Sequence, residues 1–182
     1  MKKLLLFFIF FISINTLAVP KVFRTDEGML YVEYVKNNKK EGQYKIYYEN
    51  GQIKEEGTYQ NGEKEGPYTH YFKNGDRQEG TYQNDEKEGL YTHYFKDGSR
   101  IEGTYKNGKV EGPYIIYNND GSREEAIFKN GKIEGPYTHY FKNGDRQEGT
   151  YKNGERGPYK YYFNDGSIEE GTYKNGQRIK LR

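Results

Sequence analysis

A stretch of seventeen residues, GPYTHYFKNGDRQEGTY, occurs twice without a change, at 66–82 and again at 135–151. It is one unit of a tandem array. Equivalent glycines stand at Gly42, Gly66, Gly89, Gly112, Gly135 and Gly157, separated by 24, 23, 23, 23 and 22 residues. Self-similarity at this period means that each unit is one supersecondary element that buries its face against its neighbours. The array divides the chain into a leader (1–18), an N-terminal cap and half-repeat (19–41), six repeats (42–179) and a C-terminal tail (180–182).

Within a unit, two short aromatic runs are each closed by an Asn-Gly or Asp-Gly type signal, which favours positive φ and hairpin turns. Pro67, Pro113, Pro136 and Pro158 fall at strand starts, where a missing N–H does least harm. No segment carries a 3.6-residue apolar period. The prediction is all-β: an elongated single-layer antiparallel meander of tandem hairpins of about 23 residues, with twelve or thirteen strands. Three aromatic positions recur, those of Tyr68, Tyr71 and Tyr82, and a fourth position is held by Gly80 and its equivalents, with Ala126 as the exception. A glycine inside a strand predicts a bulge, or a ring lying flat on bare backbone.

Parity sharpens the picture. Partners around a two-residue turn have residue numbers that sum to an odd value, so two such turns would advance equivalent residues by an even number. A 23-residue unit therefore needs an odd loop or a bulge if its residues are to keep one face. The slack is expected within QIKEEG (52–57) of the long unit and NGERG (153–157) of the short one. Tyr68, His70, Phe72 and Tyr82 then share one face, and Thr69 and Tyr71 the other. Unit four, GPYIIYNNDGSREEAIF (112–128), is the most divergent and is expected to be the least regular.

Lys2 and Lys3, an apolar run and the small residues of SINTLA form a secretory leader, cleaved after Ala18. The apolar run is shorter than the roughly 20 residues a bilayer needs. Export places the protein in the periplasm, at the cell surface or outside the cell. Without the two leader lysines the 29 basic residues become 27, equal to the 27 acids. That balance argues against a nucleic-acid partner, which calls for a basic patch. Leu, Ile, Val and Phe are only 23 of the 164 residues after the leader, but 21 tyrosines supply apolar area instead. There is no cysteine, hence no disulfide and no lipid-bearing cysteine.

No catalytic residue and no metal ligand set is legible, and no cofactor is implied. His70, His93 and His139 occupy one slot in their units, two strands apart or farther, and read as half-buried ladder residues. Glu65, Glu79, Glu88, Glu111 and Glu134 flank turn glycines and read as solvated charge that guards the strand ends. Aromatic side chains on a single-layer sheet are a different matter, because one layer cannot hide both faces. The ladder Tyr47, Tyr71, Tyr94, Tyr117, Tyr140 and Tyr162 is the candidate binding face, the opposite face having more rings with which to pack on itself.

GTYKNGKVEGPY (103–114) and GTYQNGEKEGPY (57–68) resemble MORN repeats, in the bacterial variant found in exported repeat proteins and in proteins described as antitoxins. The resemblance implies a curved single-layer sheet that acts as a scaffold and binds proteins or, in some members, lipids. This chain departs from it at Asn84-Asp85, at Ala126 and in the shortened fifth unit. Residues and resemblance together predict an exported, non-catalytic scaffold with a protein partner. A glycan or cell-wall module is the first alternative, although such modules normally use Trp. An antitoxin-like neutraliser rests on the resemblance alone. Lipid binding ranks lower because the chain after the leader has no net charge.

Overall fold

The computed structural model describes residues 17–26 and 28–181, so the leader lies almost wholly outside the described residues. The described chain is one antiparallel sheet of 19 strands with no helix, in which main strands pair with those before and after them. Four of the 19 are two-residue arms: Lys39–Lys40, Glu63–Lys64, Lys109–Val110 and Lys132–Ile133. The six repeats contribute two main strands each. The cap adds the hairpin Val19–Arg24 with Leu30–Lys36, and a last strand, Gln177–Lys180, runs from the end of the sixth repeat into the first residue of the tail.

The parity requirement is met by an odd loop. Tyr71 pairs with Arg77 around residues 72–76, and the loop closes through the Phe72 N–H to the Asp76 carbonyl at 2.9 Å. The second turn of each unit is the two-residue kind. Asn107 and Gly108 have φ of 49° and 71°, as a type I′ turn demands. Asn84-Asp85 makes the same turn without glycine, with φ of 50° and 65°. The Asp85 carboxylate accepts the Lys64 N–H of the preceding unit at 2.7 Å, a bond that helps offset the left-handed cost.

Beyond this turn in the units of regular length the register slips by two. Tyr105 faces Val110 but Glu102 faces Ile115, so Glu111-Gly112 is an extra pair, with Gly112 at φ 88°. In the short unit Tyr151 faces Arg156 and Gly149 faces Tyr159, which leaves one extra residue, and Gly157 does not adopt positive φ. In the long unit Tyr47 faces Ile53 while Ile46 faces Glu55, so Lys54 bulges out. Both length changes fall where slack was expected. Unit four, by contrast, keeps an unbroken register from Gly112–Phe128 to Tyr117–Arg123. Its divergence is in side chains, because backbone pairing asks little of residue identity.

The acids before the unit glycines are not loose surface charge. The carboxylates of Glu41, Glu65, Glu88, Glu111 and Glu134 accept the backbone N–H of Asn61, Asn84, Asn107, Asn130 and Asn153, at 2.9, 3.0, 2.8, 3.0 and 2.6 Å. The cap and units one to four therefore each clasp the turn of the following unit through a charge-assisted bond. This corrects the reading of Glu65, Glu88, Glu111 and Glu134 as solvated guards. Glu79, which lies mid-strand, has a different role.

Candidate interaction surface

The two faces of the sheet differ in kind. On one, Tyr44, Tyr68, Tyr91, Tyr137 and Tyr159 are buried and lie against the glycine of the neighbouring strand. A Cβ on Gly80 would sit 2.9 Å from the Tyr68 ring, and one on Gly149 would sit 2.7 Å from both the Tyr137 ring and the Pro158 carbonyl. The strand-interior glycines thus make room for a ring. At Ala126 the extra carbon is present, and Tyr114 opposite it is only half buried. Each ring leans on the next strand's aromatic, as in Tyr68–Tyr82 at 4.6 Å and Tyr91–Tyr105 at 4.5 Å between centroids. His70 and His93 pack at a tilt against Phe72 at 4.5 and 5.1 Å between centroids, and His139 likewise against Phe141 at 4.3 Å.

Polar knots tie this packed face. The buried Glu55 carboxylate takes bonds from Tyr44 Oη at 2.8 Å, Lys64 Nζ at 2.5 Å and His70 Nδ1 at 3.0 Å. Burial pushes its pKa up, but the bonds from His70, Lys64 and Tyr44 outweigh it and bring it from 4.5 down to about 2. Glu124 is held likewise by His139 at 3.1 Å, Tyr151 Oη at 2.9 Å and Arg156. Ile133 stands where Lys64 stands in unit one, and Arg156 supplies the missing cation from one unit ahead. Gln147, in the slot that Glu124 occupies one unit earlier, is neutral and leaves Arg156 free to reach across. Where unit three meets unit four the same three slots hold Ile101, Val110 and Ile116, with no charge to balance.

On the other face the predicted ladder is present. Tyr47, Tyr71, Tyr94, Tyr117, Tyr140 and Tyr162 are all half buried. Between them stand arginines that the sequence analysis passed over. Tyr71, Arg77, Tyr94, Arg100, Tyr117, Arg123, Tyr140, Arg146 and Tyr162 are successive cross-strand partners in one row. Each guanidinium covers the next ring: Arg77 over Tyr94 at 4.4 Å, Arg100 over Tyr117 at 3.7 Å, Arg123 over Tyr140 at 4.1 Å and Arg146 over Tyr162 at 4.5 Å. The same arginines pair with Glu79, Glu102, Glu125 and Glu148 at 3.3, 2.9, 3.1 and 3.3 Å. Glu56 accepts the Tyr71 hydroxyl at 3.1 Å and Glu148 the Tyr162 hydroxyl at 3.2 Å. The signal was in plain view, because DR or SR precedes each mid-array aromatic at the unit spacing. Ile53 and Ile168 end the row where an arginine would otherwise stand, and Ile168 is exposed.

The histidines are separated and engaged with Glu55, Asp76 and Glu124. No group of three or more His, Asp or Glu among the described residues is placed to hold a metal ion. The surface is a row of stacked cations and rings on a regular pitch.

An open hairpin meander with one face packed on itself defines a β-repeat scaffold. The family described as MORN repeat variant matches residues 40–61 and 155–175, the first and last units of the array. These two matches support the reading of the array as MORN repeats. MORN repeats point to a scaffold for protein interaction, in a family that is generally non-catalytic. No curated protein matches the chain. Among solved structures, the SAS-4 (dCPAP) TCP domain of Drosophila melanogaster, in complex with a proline-rich motif of Ana2 (dSTIL), matches at 14% identity and a TM-score of 0.41, over 90% of this chain and 89% of that one. At that level it bears on neither partner nor chemistry.

Proposed function

We propose that the protein is an exported, non-catalytic scaffold that binds a protein partner through the Tyr–Arg row. The observation that carries this reading is the contrast between faces. The Tyr68 row is used up in internal packing, whereas the Tyr71 row remains half exposed beside pre-stacked arginines. Tyr and Arg are the residues that most often dominate binding energy at interfaces. Their rigid stacking lowers the ordering cost on association. Export rests on the basic and apolar leader, with cleavage after Ala18.

The test is capture from the native envelope by the chain without its leader, compared with a variant carrying Tyr→Ser at Tyr71, Tyr94, Tyr117 and Tyr140. A specific protein recovered by the first and lost by the second is the expected result. Equal recovery by both removes this face from consideration. Retention by envelope polysaccharide alone would favour the glycan reading instead.

A further inference from the structure

Eight Asn-Gly pairs occur in the chain, and this dipeptide is prone to deamidation. The glycine amide nitrogen attacks the asparagine side-chain carbonyl carbon, ammonia leaves, and a five-membered imide forms. Water then opens the imide to an aspartyl or an isoaspartyl residue. The attack needs a free glycine amide and a mobile asparagine, so hydrogen bonds to either slow it.

Seven of the eight pairs are restrained. In the five-residue loops, Gly51, Gly75 and Gly144 donate to the carbonyls of Tyr48, Phe72 and Phe141. The side chains of Asn50, Asn74 and Asn143 are held by residues two positions on. In the two-residue turns, Gly62, Gly108 and Gly154 donate to the carbonyls of Lys40, Lys87 and Ile133 in the preceding unit, at 2.9, 3.0 and 3.1 Å. Asn61, Asn107 and Asn153 are clasped by glutamates as well. Asn130 keeps only its clasp to Glu111. Asn175-Gly176 has neither restraint among the described residues. Its clasping glutamate is the residue missing from ERGPY, where the other regular units read KEGPY or its like, and the bulge that would carry it is one residue short.

We propose that Asn175-Gly176 is a self-modifying site, at which spontaneous deamidation releases the terminal strand. An isoaspartyl link inserts an extra backbone carbon into a turn that now has Asn175 at φ 50° and Gly176 at φ 75°. That turn sets Arg178 and Lys180 against Glu169, at 2.7 and 3.2 Å. Once it opens, Gln177–Lys180 leaves and the strand Ile168–Lys174 becomes the sheet edge.

The experiment is peptide mapping by mass spectrometry after timed incubation of the folded chain at mildly alkaline pH, with amide hydrogen exchange on the same samples. Asn175 is expected to convert first, about tenfold faster than Asn61, Asn107 or Asn153, with Asn130 between them. Exchange in 168–174 should rise in step with conversion. Inserting Glu between Arg156 and Gly157 should slow Asn175. Independently, Glu111→Ala should speed Asn130 about fivefold. Conversion of Asn107 as fast as Asn175, or an equal lead for Asn175 in the unfolded chain, overturns the proposal. So does conversion that leaves exchange in 168–174 unchanged.

Discussion

The Tyr68 row and the Tyr71 row are built from the same residue, at the same spacing, three positions apart, yet one is structure and the other is surface. What separates them is the cross-strand neighbour. Tyr68 faces Gly80 and lies down on bare backbone, where it reaches Tyr82 and is sealed. Tyr71 faces Arg77, which has no bare backbone for a ring to lie on and reaches over Tyr94 instead, and the Tyr71 ring stays half open. A single-layer sheet cannot bury both faces, and here the placement of glycine against arginine decides which one it buries.

The comparison is easiest to break on the packed side. Tyr137→Ser removes a buried ring and should cost about 3–5 kcal/mol in chemical denaturation. Gly149→Val should cost a comparable amount, because its Cβ would meet both the Tyr137 ring and the Pro158 carbonyl. The polar knots come next. Glu55→Ile alone strands Lys64 and His70 and should destabilise by about 3 kcal/mol, while the triple change Glu55→Ile, Lys64→Val, His70→Ile copies the junction of units three and four and should be close to neutral or stabilising. A triple variant that loses as much as the single one or more would show that the slots are not coupled.

The same knot makes stability depend on acidity. The Glu55 pKa is lower in the folded chain than unfolded, so its contribution is complete above about pH 5 and is lost as pH falls toward 2. The loss should amount to about 3 kcal/mol in urea midpoints measured across that range. Glu55→Gln should flatten that part of the profile, since Gln78 already fills the equivalent slot and bonds Tyr68 Oη at 3.1 Å. The smallest effects belong to the open side. Tyr94→Ser should cost about 1 kcal/mol, in line with a half-exposed cross-strand pair. Arg123→Ala should cost less than about 1 kcal/mol, because its ion pair with Glu125 is exposed.

Much of this was legible in the letters. The 23-residue period, the Asn-Gly turns and parity place Tyr68 and Tyr71 on opposite faces, and the coordinates agree. Periodicity alone did not reveal the acid clasps, because a glutamate next to a turn glycine looks the same whether it points to water or to the next unit's amide. The arginines of the open row were also missed. Their effect comes from cross-strand register, which depends on the five-residue loop and the two-residue slip acting together. The exchange between Ile133 and Arg156 is long-range in the same sense, since Glu124 finds its cation 32 residues away.

Tyrosine-selective labelling, read residue by residue, tests the division of faces most directly. In the free chain, Tyr47, Tyr71, Tyr94, Tyr117, Tyr140 and Tyr162 should react readily while Tyr44, Tyr68, Tyr91, Tyr137 and Tyr159 stay protected. Adding the captured partner should then shield the first set and leave the second unchanged. Equal reactivity of the two rows in the free chain, or partner protection confined to the Tyr68 row, would contradict the assignment of one face to packing and the other to binding.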